Sequence, residues 1–199
     1  MNTINTTRNK RRGFTLTEIA IVLGIVGLIL GAIWVAAAAV YNNLRVSHGN
    51  TQILQIAQAV RTLYATQSTI TAGDDSLAMI TAGTVPSDMV NAAATGLTNV
   101  WGGNFYVGGT GDGLGIVVQS NAVPQAQCID LVAMVGGSTR DSGLFQAKSL
   151  GAGTTATAYA AIATVPATGA LTVAVAPTAA STACVAGLNT LQFGFLLKG

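Results

Sequence analysis

From Ile19 to Val40 the chain reads IAIVLGIVGLILGAIWVAAAAV, 22 residues without a charge. About 20 such residues suffice to cross a bilayer as a helix. After Val40 the pattern changes but does not stop. From Tyr41 to Gln67 apolar positions recur at helical spacing: Ile53, Ala57, Val60 and Tyr64 fall on one stripe, Ile56 and Leu63 flank it, and Gln52, Gln55, Gln58 and Arg61 alternate with it. The first proline is Pro86. The two patterns together predict one helix from Phe14 to about Gln67, roughly 80 Å long at 1.5 Å per residue. Its first half is oily all round; its second is amphipathic, as suits a helix whose far half packs under a globular head.

Residues 68–199 carry shorter patterns. A polar, Gly/Thr/Ala-rich connection runs through 68–100, with a short helix expected after Pro86-Ser87-Asp88, where Ser87 or Asp88 can cap it. Asn104–Val107 and Leu114–Gln119 alternate as strands, joined by Gly108-Gly109-Thr110-Gly111-Asp112-Gly113. That glycine cluster lacks GxGxxG spacing and leads into a strand, so it reads as a hairpin turn and not as a phosphate loop. Pro124 opens a helix with Cys128, Leu131, Val132 and Val135 on one face, stopped by Gly136-Gly137. After a variable stretch, 156–164, 170–176 and 191–197 alternate as strands of an antiparallel sheet. In the last of these Leu191, Phe193, Phe195 and Leu197 point to one side. The fold class is α+β, a long N-terminal helix packed on an antiparallel sheet.

Composition sharpens this picture. Only 8% of the 199 residues are charged, against about a quarter in an ordinary soluble domain. With 24 glycines, long Ala/Thr tracts and 6% aromatics, the head is expected to pack closely through small residues. The net charge of +2 hides an asymmetry: Arg8, Lys10, Arg11 and Arg12 precede position 13 without an acid among them, whereas residues 14–199 hold five basic and seven acidic groups. Without a Lys/Arg cluster the head lacks the footprint that a phosphate backbone requires, and no nucleic-acid partner is expected. The basic flank predicts a cytoplasmic N-terminus and export of everything after Val40.

In that oxidising setting Cys128 and Cys184 read as one disulfide, which would tie the Cys128 helix to the C-terminal part of the sheet. Two buried free thiols are the alternative. His48 is the only histidine, and the acids Asp74, Asp75, Asp88, Asp112, Asp130 and Asp141 are dispersed. No triad, paired-carboxylate or metal-ligand spacing results, so no catalytic, metal or cofactor role is assigned.

Three ordinary readings compete for the N-terminal segment: a secretory signal cut within Ala36–Ala39, a twin-arginine signal echoed by RRGFTL, and a plain membrane anchor. Glu18 separates them from a fourth. It is the only acid in the first 73 residues and stands at the mouth of the apolar run, where a charge is expensive without a partner. Thr15-Leu16-Thr17-Glu18 fits a capping box, but capping alone leaves the preceding Gly13-Phe14 unexplained.

Gly13-Phe14-Thr15-Leu16-Thr17-Glu18, after a basic leader and before the apolar run, resembles the prepilin-peptidase site of type IV pilins and their relatives. The resemblance implies cleavage between Gly13 and Phe14, N-methylation of the new Phe14 amine, retention of the apolar helix, and Glu18 as the assembly glutamate. It also implies prepilin peptidase, an inner-membrane assembly machinery and further copies of this chain in a helical filament as partners. The subunit would lie in the inner membrane first and in an extracellular fibre afterwards. The chain then divides into a leader (1–13), an apolar half-helix (14–40), an amphipathic half-helix (41–67) and a head (68–199).

The residues supply the chemistry for this. A carboxylate four residues from the freed Phe14 ammonium can neutralise it, on its own or a neighbouring subunit, where an unpaired charge would be costly. Gly24, Gly27 and Gly31, the last two forming GxxxG, let neighbouring helices approach closely. Asn99-Val100-Trp101-Gly102-Gly103 resembles an Asn-Pro-Phe-Gly-Gly stretch of the type IVb pilins, with Val100 and Trp101 departing. Val123-Pro124-Gln125-Ala126-Gln127-Cys128 resembles the start of their cysteine-bearing helix. A mature chain that starts with phenylalanine is, by contrast, usual in type IVa pilins. The sequence reads as a structural pilus subunit. The alternatives are a minor pilin or type II secretion pseudopilin sharing the motif, and an exported periplasmic binding protein or hydrolase with a cleaved signal peptide.

Overall fold

The computed structural model describes residues 13–152, 160, 162, 164–167, 171 and 174–198. Its first element, α1 (Leu16–Leu63), belongs to two compact units, residues 1–41 and 42–199. In the first unit α1 displays its large apolar side chains to the surroundings on every side: Leu28 is 75% exposed and Trp34 80%. An 18-residue window here has a mean hydropathy of 2.8, and the helix is long and apolar enough to cross a membrane.

In the second unit the rest of α1 buries Val46, Gly49, Gln52, Ile53, Ile56, Ala57 and Val60. They share a core with an antiparallel sheet built from β1 (Gly73–Asp74), β2 (Leu97–Thr98), β3 (Asn104–Gly109), β4 (Gly115–Pro124), β5 (Leu144–Ala152) and β6 (Leu188–Leu196). The strand order is β1-β3-β4-β6-β5, with β2 beside β3. One row of side chains shows why the register holds: Val107, Val118, Phe193 and Ala147 stand directly opposite one another across four strands. A slip by one residue would turn every such row away from the core. Helix α3 (Gln125–Val135) adds Cys128, Leu131, Val132 and Val135 to the same core, while α2 (Ser76–Thr81) and α4 (Pro177–Ala183) are short.

Small residues set the close approaches. A Cβ on Gly103 would come within 2.1 Å of the Asn121 carbonyl oxygen, and one on Gly194 within 2.5 Å of the Phe145 ring. The Asn121–Ala122 backbone crowds Gly103 because β4 bulges between Ser120 and Val123, with Ala122 at φ 56°. Asn99 clasps this corner: its side-chain amide donates to Ser120 Oγ and the Asn121 carbonyl, and its Oδ1 accepts from the Trp101 and Gly103 amides. The Trp101 ring lies on Gly49, where a Cβ would meet Cη2 at 2.6 Å. Cys128 and Cys184 are joined, linking α3 to the residue that ends α4. Closing a loop of this length stabilises the folded chain by roughly 4 kcal/mol on the chain-entropy account.

Several expectations need correction. The long helix starts at Leu16 and ends at Leu63, not Gln67, because the bonds Ala65 N–H to Thr62 O and Gln67 N–H to Tyr64 O tighten its last turn into three-residue steps. Gln52, expected on the polar side of α1, is buried beside Ile53, and Arg61 is turned into the head. The variable stretch contains β5. The helix expected after Pro86 is a single 3-10 turn, Ser87–Met89, without a side-chain cap. Of the strand expected at 170–176, the described residues are irregular: the Leu171 amide bonds to Leu144 and the Val175 amide to Gly136, a strand start and a helix end instead of one ladder. The strand expected at 156–164 lies almost wholly outside the described residues.

Arg61 is what ties the C-terminal end of α1 to the sheet. Its guanidinium grips both Asp141 carboxylate oxygens at 2.8 and 2.9 Å and donates through Nε to the Leu196 carbonyl. Hydrogen bonds from Arg61, together with the Gly143 amide, hold the Asp141 carboxyl below its ordinary range despite its partial burial. A carboxylate whose folded pKa is depressed contributes stability above its unfolded value, and that contribution is lost as pH falls through the folded one. Asp141→Asn removes two charge-assisted bonds at a partly buried site and should cost about 1–2 kcal/mol at neutral pH. Thermal unfolding of the detergent-solubilised chain should show the wild type losing more stability than the variant from about pH 4 downward. Equal pH dependence in both would contradict the assignment.

Candidate functional site

The site begins at the residue before α1. The Thr15 carbonyl accepts the first helical bond, from Ile19, so Thr15 is the N-cap. Its amide and hydroxyl both donate to Glu18 Oε2 at 2.8 Å, and its Oγ1 accepts from the Glu18 amide at 3.3 Å. This is the reciprocal capping box that the spacing Thr15-x-x-Glu18 allows. The carboxylate is fixed by its own helix start. Both bonds that Glu18 accepts from Thr15 fall on one of its two oxygens, and an ionised carboxylate has about four acceptor positions.

Among the described residues the surroundings of this cap are open. Gly13 has no atom within 4 Å of where a Cβ would stand, and Phe14 is 84% exposed. Phe14, Glu18, Ile19, Val22 and Leu23 line a shallow apolar concavity of about 240 Å³ beside the carboxylate. Gly24, Gly27 and Gly31 likewise meet nothing within 4 Å. At spacings of three and four they share one side of the helix and leave a smooth strip on it. The arrangement is a helix end with a fixed carboxylate, an accessible backbone just before it, and a long apolar surface with a flat seam.

The remaining residues singled out in the sequence lie in the second unit. Cys128 and Cys184 are buried and bridged. His48 stands 3.9 Å from Asp88, both exposed. Of the Gly108–Gly113 cluster, Gly108 and Gly109 end β3 and Thr110–Gly113 form the β3–β4 turn, closed by Thr110 and Gly115 backbone bonds and by Asp112 accepting from Thr110 Oγ1 and the Leu114 amide. Among the described residues no group of His, Cys, Asp and Glu could hold a metal ion. Sequence reasoning missed the Arg61–Asp141 pair, whose partners are 80 positions apart, and the Asn99 clasp. The asparagine and paired glycines of the Asn99–Gly103 stretch were the visible signal for the clasp.

These features are those of a pilin. The family model described as "PilS N terminal" matches residues 43–195, and the "Prokaryotic N-terminal methylation motif" matches residues 8–34. The chain belongs to the PilS family of type IVb pilins and is a structural subunit of a type IV pilus. No curated protein matches it. Among solved structures, a type IV b pilin from Salmonella typhi is similar at 24% identity and a TM-score of 0.49, over 76% of this chain and 97% of the other.

Removing the Thr15 hydroxyl leaves the Glu18 amide without its side-chain acceptor. Thr15→Ala should speed amide exchange at Leu16, Thr17 and Glu18 in detergent micelles relative to Ile25, and Thr15→Ser should restore it. Unchanged exchange in Thr15→Ala would show that the cap contributes nothing to the start of α1.

Proposed function

We propose that the chain is made as a membrane-anchored precursor, cut by prepilin peptidase between Gly13 and Phe14, N-methylated at Phe14, and drawn from the inner membrane into an extracellular helical fibre of its own copies. The observation that carries this reading is the combination of an open Gly13–Phe14 backbone with the capped Glu18 four residues on. A peptidase needs an extended, accessible backbone at its cut, and this segment precedes the helix. Glu18 then serves twice: Oε2 keeps the cap, and Oε1 is left to receive a Phe14 ammonium within the apolar bundle, where that charge would otherwise lack a partner. The glycine seam of Gly24, Gly27 and Gly31 favours close helix contact both in lipid and in the fibre. Contacts between unlike surfaces that do not close on themselves build filaments.

Membership of the PilS family favours a fibre subunit over a pseudopilin, and the same membership supports a structural role over a hydrolase. The test is the N-terminus and intact mass of the protein recovered from sheared fibres. The reading expects a chain that starts at N-methylated Phe14. A chain starting after Ala36–Ala39 would overturn it. Glu18→Gln should still be cut at Gly13 yet yield few or no fibres, and normal fibres from that variant would leave Glu18 as a cap alone.

A further inference from the structure

A groove of about 480 Å³ on the second unit is lined by Asn43 and Val46 of α1, by Ile129, Asp130, Ala133 and Met134 of α3, and by Pro177 at the start of α4. Met134 is 42% exposed, and Leu44 beside Asn43 is 62% exposed. The lining carries no Lys or Arg, and its one charge, Asp130, is exposed. A concavity lined mostly by apolar side chains favours an apolar occupant.

The chain itself limits what can occupy the groove. Asn43 is three residues beyond Val40, the end of the apolar run, and Val46 is six. Even a fully extended chain keeps these within about 10 and 20 Å of the end of the span, whatever the angle of the helix. The groove is therefore tethered within about 20 Å of the end of the span, in reach of the headgroup layer, for as long as residues 19–40 are in the bilayer. Tethering on so short a link gives an effective concentration in about the millimolar range, so a weak apolar contact is enough. A second protein chain would need about 800 Å² on each side for a standard interface, more than a groove of seven residues offers.

We infer that, before assembly, this groove beds the head on the outer leaflet, with Met134, Ile129 and Ala133 dipping into the boundary between headgroups and acyl chains. Asp130 stays hydrated at the rim. This rests on the membrane-anchored precursor of the proposed function. Because no cation lines the groove, the contact is apolar and does not need anionic lipid.

The two native cysteines are bridged, and no free cysteine is present, so single cysteines introduced as Met134→Cys or Leu114→Cys can be labelled selectively with an environment-sensitive dye. Leu114, 52% exposed near the β3–β4 turn, is the control. The full chain is reconstituted at high dilution in phosphatidylcholine vesicles containing a headgroup-attached spin-label quencher. The expected result is loss of fluorescence at position 134 but not 114, unchanged by added phosphatidylglycerol or by high salt. If the protein floats with the vesicles and position 134 stays bright, the docking is wrong while the anchor stands. If it does not float, the anchor fails and the docking with it. Quenching that requires anionic lipid overturns the apolar contact. Quenching that instead tracks protein density, independent of the lipid quencher, assigns the groove to a second copy and also overturns the proposal.

Discussion

An apolar helix surface left in water is the constraint from which the rest follows. Residues 19–40 expose leucine, isoleucine, valine and tryptophan side chains on every side, and each such side chain gains roughly 1.5–3 kcal/mol when it is removed from water. Lipid can supply that cover, and so can other helices of the same kind. A chain that keeps this segment is committed to one or the other, and the proposed function has it move between them. The Thr15–Glu18 cap fits this demand, since it puts the acid at the mouth of the segment into a local arrangement that needs no second chain.

The head answers a different problem: building a rigid body with little charge. Glycines let backbone and rings come close, as Gly103 does at the β4 bulge and Gly194 under Phe145. A few polar groups then fix the corners. Asn99 closes one of them, and Arg61 with Asp141 closes another by joining α1 to the segment just before β5. The Cys128–Cys184 bridge joins α3 to the approach of β6. Tyr64 continues the pattern by donating its hydroxyl to Asp75, whose burial raises its carboxyl pKa. That is opposite in sign to Asp141, so acid weakens the Arg61 contact while it relieves Asp75.

What could be read in the sequence was what is local. The apolar run, the stripe Ile53-Ala57-Val60, the β3–β4 turn and the α3 face are periodic patterns, and the capping box is a four-residue spacing. The β5 strand was invisible because bulges at Leu144/Gln146 and Ser149/Ala152 break its alternation, and because Gln146, Lys148 and Gly151 are poor strand signals at an edge. Helix α2, six residues long, is too short to show a period. Gln52 was misplaced since a side chain's burial depends on what lies over it, here next to the turn where Trp101 covers Gly49. Pairs such as Arg61–Asp141 and Asn99–Asn121 are made by the fold, and no spacing announces them.

The central claim is that residues 19–40 are kept in the mature chain and covered by copies of themselves. Amide hydrogen exchange of detergent-free fibres, resolved by peptide, tests it most directly. The account predicts that peptides spanning 19–40 are present and exchange more slowly than an exposed turn of the head such as 92–95. Absence of those peptides, or exchange as fast as in that turn, would contradict it.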